Sequence, residues 1–227
     1  MQLTGIGLYT FHEAALLTKI PVRDLRRWLD GYSYRDNKHE SVSVAPLWET
    51  ALAGDDLDGI SFHDLLEVRF VHAFREHGVS LQTIRVASQR ARELFNTDYP
   101  FTSQQFRTDG RTIFASAIEE TGETDLLDLV KQQYAFRKII EPSLRTGIEF
   151  GADRLATRWY PSPRSKAIVL DPAIAFGKPI VTHGSVRTSI LSEAFNVEGD
   201  RNLVARLYEV PVAAVDAAVA FEESLAA

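Results

Sequence analysis

The 227-residue sequence predicts a mixed α+β fold that is mainly helical: an N-terminal winged helix-turn-helix, a β-containing connector and a small helical, helix-turn-helix-like C-terminal domain. Three observations lead there. Residues 9–29 hold two short helical patterns parted by a tight turn, and residues 32–48 follow as a turn-rich loop with an alternating segment. Capped helical stretches then recur over residues 61–95 and again near the C-terminus.

The second of the first two helices carries the strongest signal. Pro21 suits the first turn of a helix, where a missing N–H costs nothing. At about 100° per residue, Val22, Leu25, Trp28 and Leu29 fall in one arc, with Arg23, Arg26, Arg27 and Asp30 opposite. The apolar arc can pack on the preceding helix, leaving the arginines able to meet phosphates and base edges in a major groove. A merely solvated arginine face has the same pattern, so this window leaves both readings open.

Asp30-Gly31 stops that helix, and Tyr32 to Glu40 reads as a polar loop. Ser41 to Val44 alternates like a short strand. A hairpin here has the position of a wing, or is an ordinary surface hairpin. Residues 54–59 read as an acidic linker. Ser61 with Asp64 three residues on is an N-cap signature for a helix over Leu65–His77, closed by Gly78. Ser80 caps a helix running to about Phe95, with Ile84, Ala87, Ala91 and Leu94 on one stripe. Phe101–Phe114 reads as a hairpin turning at Asp109-Gly110, and Leu126–Ile140 as a helix ended by Pro142. Residues 147–170 suggest short extended pieces broken by Pro161 and Pro163. Two helices, about 202–208 and 212–224, close the chain.

Composition excludes several classes. Hydrophobic residues at 45% and charged residues at 25% fit a soluble globular protein. The absence of cysteine removes disulfides and thiolate metal sites. The histidines are scattered, so no metal and no cofactor is expected. No apolar run reaches bilayer length, and the N-terminus lacks the order of a signal peptide, so a cytoplasmic location is expected. The net charge of −6 is unevenly spread. Residues 1–50 hold six Lys/Arg against six acids, whereas residues 197–227 hold six acids against Arg201 and Arg206. The front of the chain therefore tolerates DNA, and the back does not.

The helix-turn-helix at 9–29, the hairpin after it, and the stretch Ile60 to Arg85 with its Arg75-Glu76-His77-Gly78-Val79-Ser80 turn resemble MerR-type winged-helix domains across residues 9–95. Asp171-Pro172, Phe176-Gly177-Lys178-Pro179 and Gly184-Ser185, closing with Tyr208 to Glu222, resemble the domain-of-unknown-function family numbered 433. There Gly184-Ser185 departs from the family pattern: Val186 follows where an arginine is usual, and Arg187 comes one place late. The pairing is similar to a group of VapB-type antitoxins. That resemblance implies a type II toxin–antitoxin operon, a PIN-domain ribonuclease toxin as partner, and repression of the chain's own promoter.

The expected division is residues 1–95 for DNA binding, 96–170 as a mixed connector, and 171–227 for protein contact. Arg23, Arg26 and Arg27 are the candidate groove and phosphate contacts, with Thr18 and Lys19 at the turn and Tyr32, Tyr34, Arg35 and Lys38 on the wing. A homodimer on paired half-sites is expected, since one such domain makes few contacts. For the toxin, Glu209, Asp216, Glu222 and Glu223 are candidate contacts, with Val212, Val215 and Val219 as apolar anchors. Plain internal packing of that helix pair is the alternative. Phe101, Phe106, Phe114, Tyr134 and Phe136, with Tyr99 and Trp159, would line an effector pocket or form a connector core. Glu141, Glu149 and Asp153 lack a convergent nucleophile, so no enzyme activity is expected. A regulator answering to a small ligand without a toxin, and a scaffold binding protein only, are the competing functions.

Overall fold

A computed structural model describes residues 5–53, 58–122 and 147–226. The expected helix over Leu126–Ile140, with Tyr134, Phe136 and Glu141, lies outside the described residues. The chain divides into two compact units, Tyr9–Ser143 and Leu144–Ala227 with Met1–Leu8. The expected boundaries at 95/96 and 170/171 fall inside these units: in the first the helix Phe106–Thr121 packs on the helix Leu81–Phe95, and in the second the strand Ile168–Val169 pairs with Ile180–Val181. No described helix is long and apolar enough to cross a membrane.

In the first unit, Thr10 and Glu13 exchange capping hydrogen bonds at the start of α1 (Phe11–Thr18): the Glu13 amide donates to Thr10 Oγ1 at 3.2 Å and the Thr10 amide to Glu13 Oε2 at 2.8 Å. Lys19 turns the chain in the left-handed region at φ 60°, and Pro21 caps α2 (Val22–Leu29). The arcs read from sequence are seen directly: Leu25, Trp28 and Leu29 are buried while Arg23, Arg26 and Arg27 are exposed. Strands β1 (Tyr32–Arg35) and β2 (Ser41–Val44) pair antiparallel, Tyr32 opposite Val44 and Arg35 opposite Ser41. Asp36 Oδ1 closes the tip by accepting from the amides of Lys38 and Glu40 at 2.8 and 2.9 Å. Gly31 must be glycine: its φ is +77°, and a Cβ there would sit 2.5 Å from the Val44 carbonyl oxygen.

Helix α3 (Phe62–Glu76) starts at a buried capping box in which Asp64 also accepts from the Trp48 indole at 2.8 Å, fastening the segment after the hairpin. Helix α4 (Leu81–Phe95) begins at Ser80 and ends at Asn96. The hairpin expected over Phe101–Phe114 is not formed; a turn leads instead into helix α5 (Phe106–Thr121), which runs through Asp109-Gly110. The physical reason is the ring of Phe106, which lies over Gly110 one turn on; a Cβ there would be 2.9 Å from it. Phe74, Phe101, Phe106 and Phe114 share one cluster with ring centroids 4.3–6.3 Å apart. Glycine serves close packing here, not a turn, and Phe101, Phe106 and Phe114, named as pocket candidates, are core.

The second unit opens with β3 (Ile148–Phe150) and β4 (Ala156–Trp159), antiparallel with an irregularity between Glu149 and Phe150. β5 (Ile168–Val169) pairs with β6 (Ile180–Val181), and a Trp159–Leu170 bridge links β4 to the residue following β5. Three helices follow: α6 (Thr188–Glu198), α7 (Arg201–Leu207) and α8 (Val212–Ala226). The last two were expected. Helix α6 was not, because its apolar pattern is broken: Leu191 is buried but Val197 is 82% exposed. Ile168, Val181, Leu191, Val204, Val215 and Val219 share the core of this unit.

Candidate nucleic-acid interface

Helix α2 and the β1–β2 hairpin enclose a groove of about 740 Å³, lined by Arg23, Arg26, Arg27, Tyr32, Tyr34 and Val44 among others. Every basic residue expected on α2 and both wing tyrosines therefore come together. Helical spacing presents the arginines on one side, and strand alternation puts Tyr32 and Tyr34 on one face of β1, rings 6.1 Å apart. Arg35, the next residue, points to the other face by the same alternation, and Lys38 lies at the exposed tip of the hairpin.

The three arginines are held differently. Arg23 is open, its side chain 86% exposed and its Nε 3.4 Å from Asp24 Oδ1. Arg27 stacks its guanidinium 3.9 Å from the Tyr32 ring centre, which joins the helix to the wing. Arg26 is gripped by two carboxylates. Its Nη2 donates to both oxygens of Asp58, at 2.7 and 3.0 Å, and its Nη1 donates to Asp30 Oδ2 at 3.2 Å. The hydrogen bond to Asp58 foremost, with Asp30 adding, holds the Arg26 guanidinium above its usual pKa. Its plane also lies 4.3 Å from the Phe11 ring centre.

Of the turn residues, Lys19 is exposed, whereas the Thr18 hydroxyl is spent within the turn, donating to Ala14 O at 2.6 Å and accepting from the Ile20 amide at 3.3 Å. Thr18 shapes the turn.

Two residues of this surface were not legible in the sequence. Asp58 comes from the linker, 32 positions from Arg26. Arg85 on α4 donates to the Pro46 and Ala45 carbonyls at 2.5 and 2.8 Å, clamping the strand that returns from the wing. No spacing rule links either to its partner.

In the C-terminal unit, the apolar anchors expected at Val215 and Val219 are corrected: they are 0% and 6% exposed and form part of the core. The register of α8 turns both inward against α6, so no partner can reach them. Val212 is 37% exposed, as are Val197 and Leu207 to larger extents. Glu209 and Glu223 are exposed; Asp216 pairs with Arg201 at 2.5 Å, and Glu222 accepts from the Thr188 hydroxyl. Among the described residues no three His, Asp or Glu side chains come together to hold a metal ion.

A helix-turn-helix with a basic outer face, a following two-stranded wing and a buttressing helix pair defines the class: helix-turn-helix proteins of the DNA-binding type. Residues 7–88 match the family model described as "putative DNA-binding HTH domain". The chain is 30% identical over 196 residues to the "putative antitoxin VapB45" of Mycobacterium tuberculosis, covering 81% of this chain and 80% of that one. It belongs to the VapB45 antitoxin family. The crystal structure of Rv2018 from Mycobacterium tuberculosis has a similar fold, with a TM-score of 0.68 at 25% identity, over 95% of this chain and 99% of that one.

Proposed function

We propose that this chain is the antitoxin of a type II toxin–antitoxin pair that binds and neutralises a PIN-domain ribonuclease and represses its own operon. In this reading the front unit is a MerR-like winged reader acting as a homodimer in the cytoplasm. Arg23, Arg26, Arg27 and Lys19 meet DNA from the helix and turn, and Tyr32, Tyr34, Arg35 and Lys38 from the wing. The back unit, with its resemblance to the family numbered 433, contacts the toxin through Glu209, Asp216, Glu222 and Glu223 and the outward-facing Val212. An acidic surface suits a nuclease, which must gather positive charge around its substrate path.

The observation that carries the reading is the groove in which α2 arginines and wing tyrosines converge, in a chain of an antitoxin family. Co-expression with the adjacent reading frame tests the partner. The expected result is that the full chain copurifies with that product and restores growth of cells expressing it. A neighbouring product that neither copurifies nor harms cells contradicts the toxin reading. Whole-chain variants are the proper tool, because β5 and β6 pair across residue 170 and a fragment cut there severs them.

A further inference from the structure

Arg26 is unusual among the groove arginines in meeting two carboxylates at once. Asp58 is 72% exposed on its side chain and Arg26 44%, so both are open to solvent and to a ligand. An exposed ion pair adds little to stability, and nothing else in the described structure requires Asp58 to reach across 32 positions to α2. Its two oxygens, 2.7 and 3.0 Å from Nη2, sit where the oxygens of a DNA phosphate would sit on the same nitrogen. Arg26 cannot give those N–H bonds to both, and an uncompensated carboxylate beside the groove repels the phosphate chain.

We propose that Asp58 is a specificity-determining residue: an internal phosphate mimic that withholds Arg26 from non-specific DNA and yields it only to a well-placed acceptor in the operator. This rests on the reading of α2 and the wing as a DNA reader. Loosely held duplex offers Arg26 no better partner than Asp58, so the pair stays closed and one phosphate contact is not made. A cognate site, which fixes the helix in register, presents an acceptor good enough to open the pair. Discrimination rises because the weak complex loses a contact that the tight one keeps.

The experiment is salt-dependent binding of the full chain to two duplexes of equal length, one from the DNA immediately upstream of its reading frame and one of random sequence. Asp58→Asn keeps the size of the side chain and removes the charge. It is expected to tighten binding to the random duplex by about two- to fivefold. The slope of log affinity against log salt should steepen by about 0.9, one phosphate contact, on that duplex. The upstream duplex should gain less and keep its slope. In an Arg26→Gln background the same change should give no such gain, since there is no arginine to release. An unchanged random-duplex affinity and slope in Asp58→Asn overturns the inference while leaving DNA binding itself intact. A gain that persists in the Arg26→Gln background overturns it equally, by reducing Asp58 to general repulsion. Failure of the wild-type chain to bind either duplex defeats the DNA-reading account as well.

Discussion

The Arg27 guanidinium lies 3.9 Å from the centre of the Tyr32 ring, so the helix and the wing of the first unit are joined by one stacked pair. The pair fixes a long side chain before DNA arrives, which lowers the ordering cost of binding. Tyr32→Phe keeps the ring face and is expected to retain affinity for the upstream duplex. Tyr32→Ala frees Arg27 and should weaken binding by about three- to tenfold. Titration of both variants, read by fluorescence anisotropy, checks this; equal loss in both would mean that the hydroxyl, not the stacking, matters.

Gly31→Ala should disturb the wing rather than the helix before it. The substitution places a Cβ 2.5 Å from the Val44 carbonyl oxygen at a φ of +77°. A cost of at least about 1 kcal/mol in denaturant unfolding is expected, with lost affinity for the duplex. Unchanged values of both would show that the hairpin is free to move away from α2.

Burial pushes the Glu67 carboxyl up to about 8 from an ordinary 4.5, although the amides of Phe101 and Thr102 and the Thr102 hydroxyl all donate to it. As pH rises, the unfolded chain gives up this proton first, so the folded state holds more protons between those two values. The contribution of the protonated form is whole below about 4.5 and is lost as pH climbs towards about 8. Glu67→Gln should flatten that fall in urea midpoint across the window, and an identical slope in the variant would show that Glu67 is not its source.

Val215 and Val212 lie three positions apart on α8 with opposite surroundings, 0% and 37% exposed. Val215→Ala should cost about 2 kcal/mol of stability through lost burial. Val212→Asp should leave the melting temperature nearly unchanged and weaken capture of the neighbouring gene's product. A melting temperature that drops as far for Val212→Asp would mean that it, too, packs internally.

How much of this was readable follows from the range of each interaction. The α2 face was legible because a period of 3.6 is written into Leu25, Trp28, Leu29 and the intervening arginines. The caps at Ser61 and Ser80 were local signals of the same kind. Residues 101–114 misled because Asp109-Gly110 satisfies a turn rule, while the helical spacing of Phe106, Gly110, Ile113, Phe114 and Ala117 becomes decisive only against the ring of Phe74. Asp58 and Arg85 were invisible for a different reason: each acts on a residue more than thirty positions away, and single-sequence patterns carry no such information.

The central claim, that the α2 face and the wing together form a DNA-reading surface, meets its most direct test in one titration. The full chain carrying Arg23→Ala, Arg26→Ala and Arg27→Ala together is compared with wild type on its own upstream duplex across a salt series. The arginines lie on the solvent side of α2, so the variant should keep its circular dichroism spectrum. The account predicts steeply salt-dependent binding by the wild type and loss of at least about a hundredfold in affinity by the variant. Wild-type binding that the folded triple variant reproduces in strength and salt slope would contradict it.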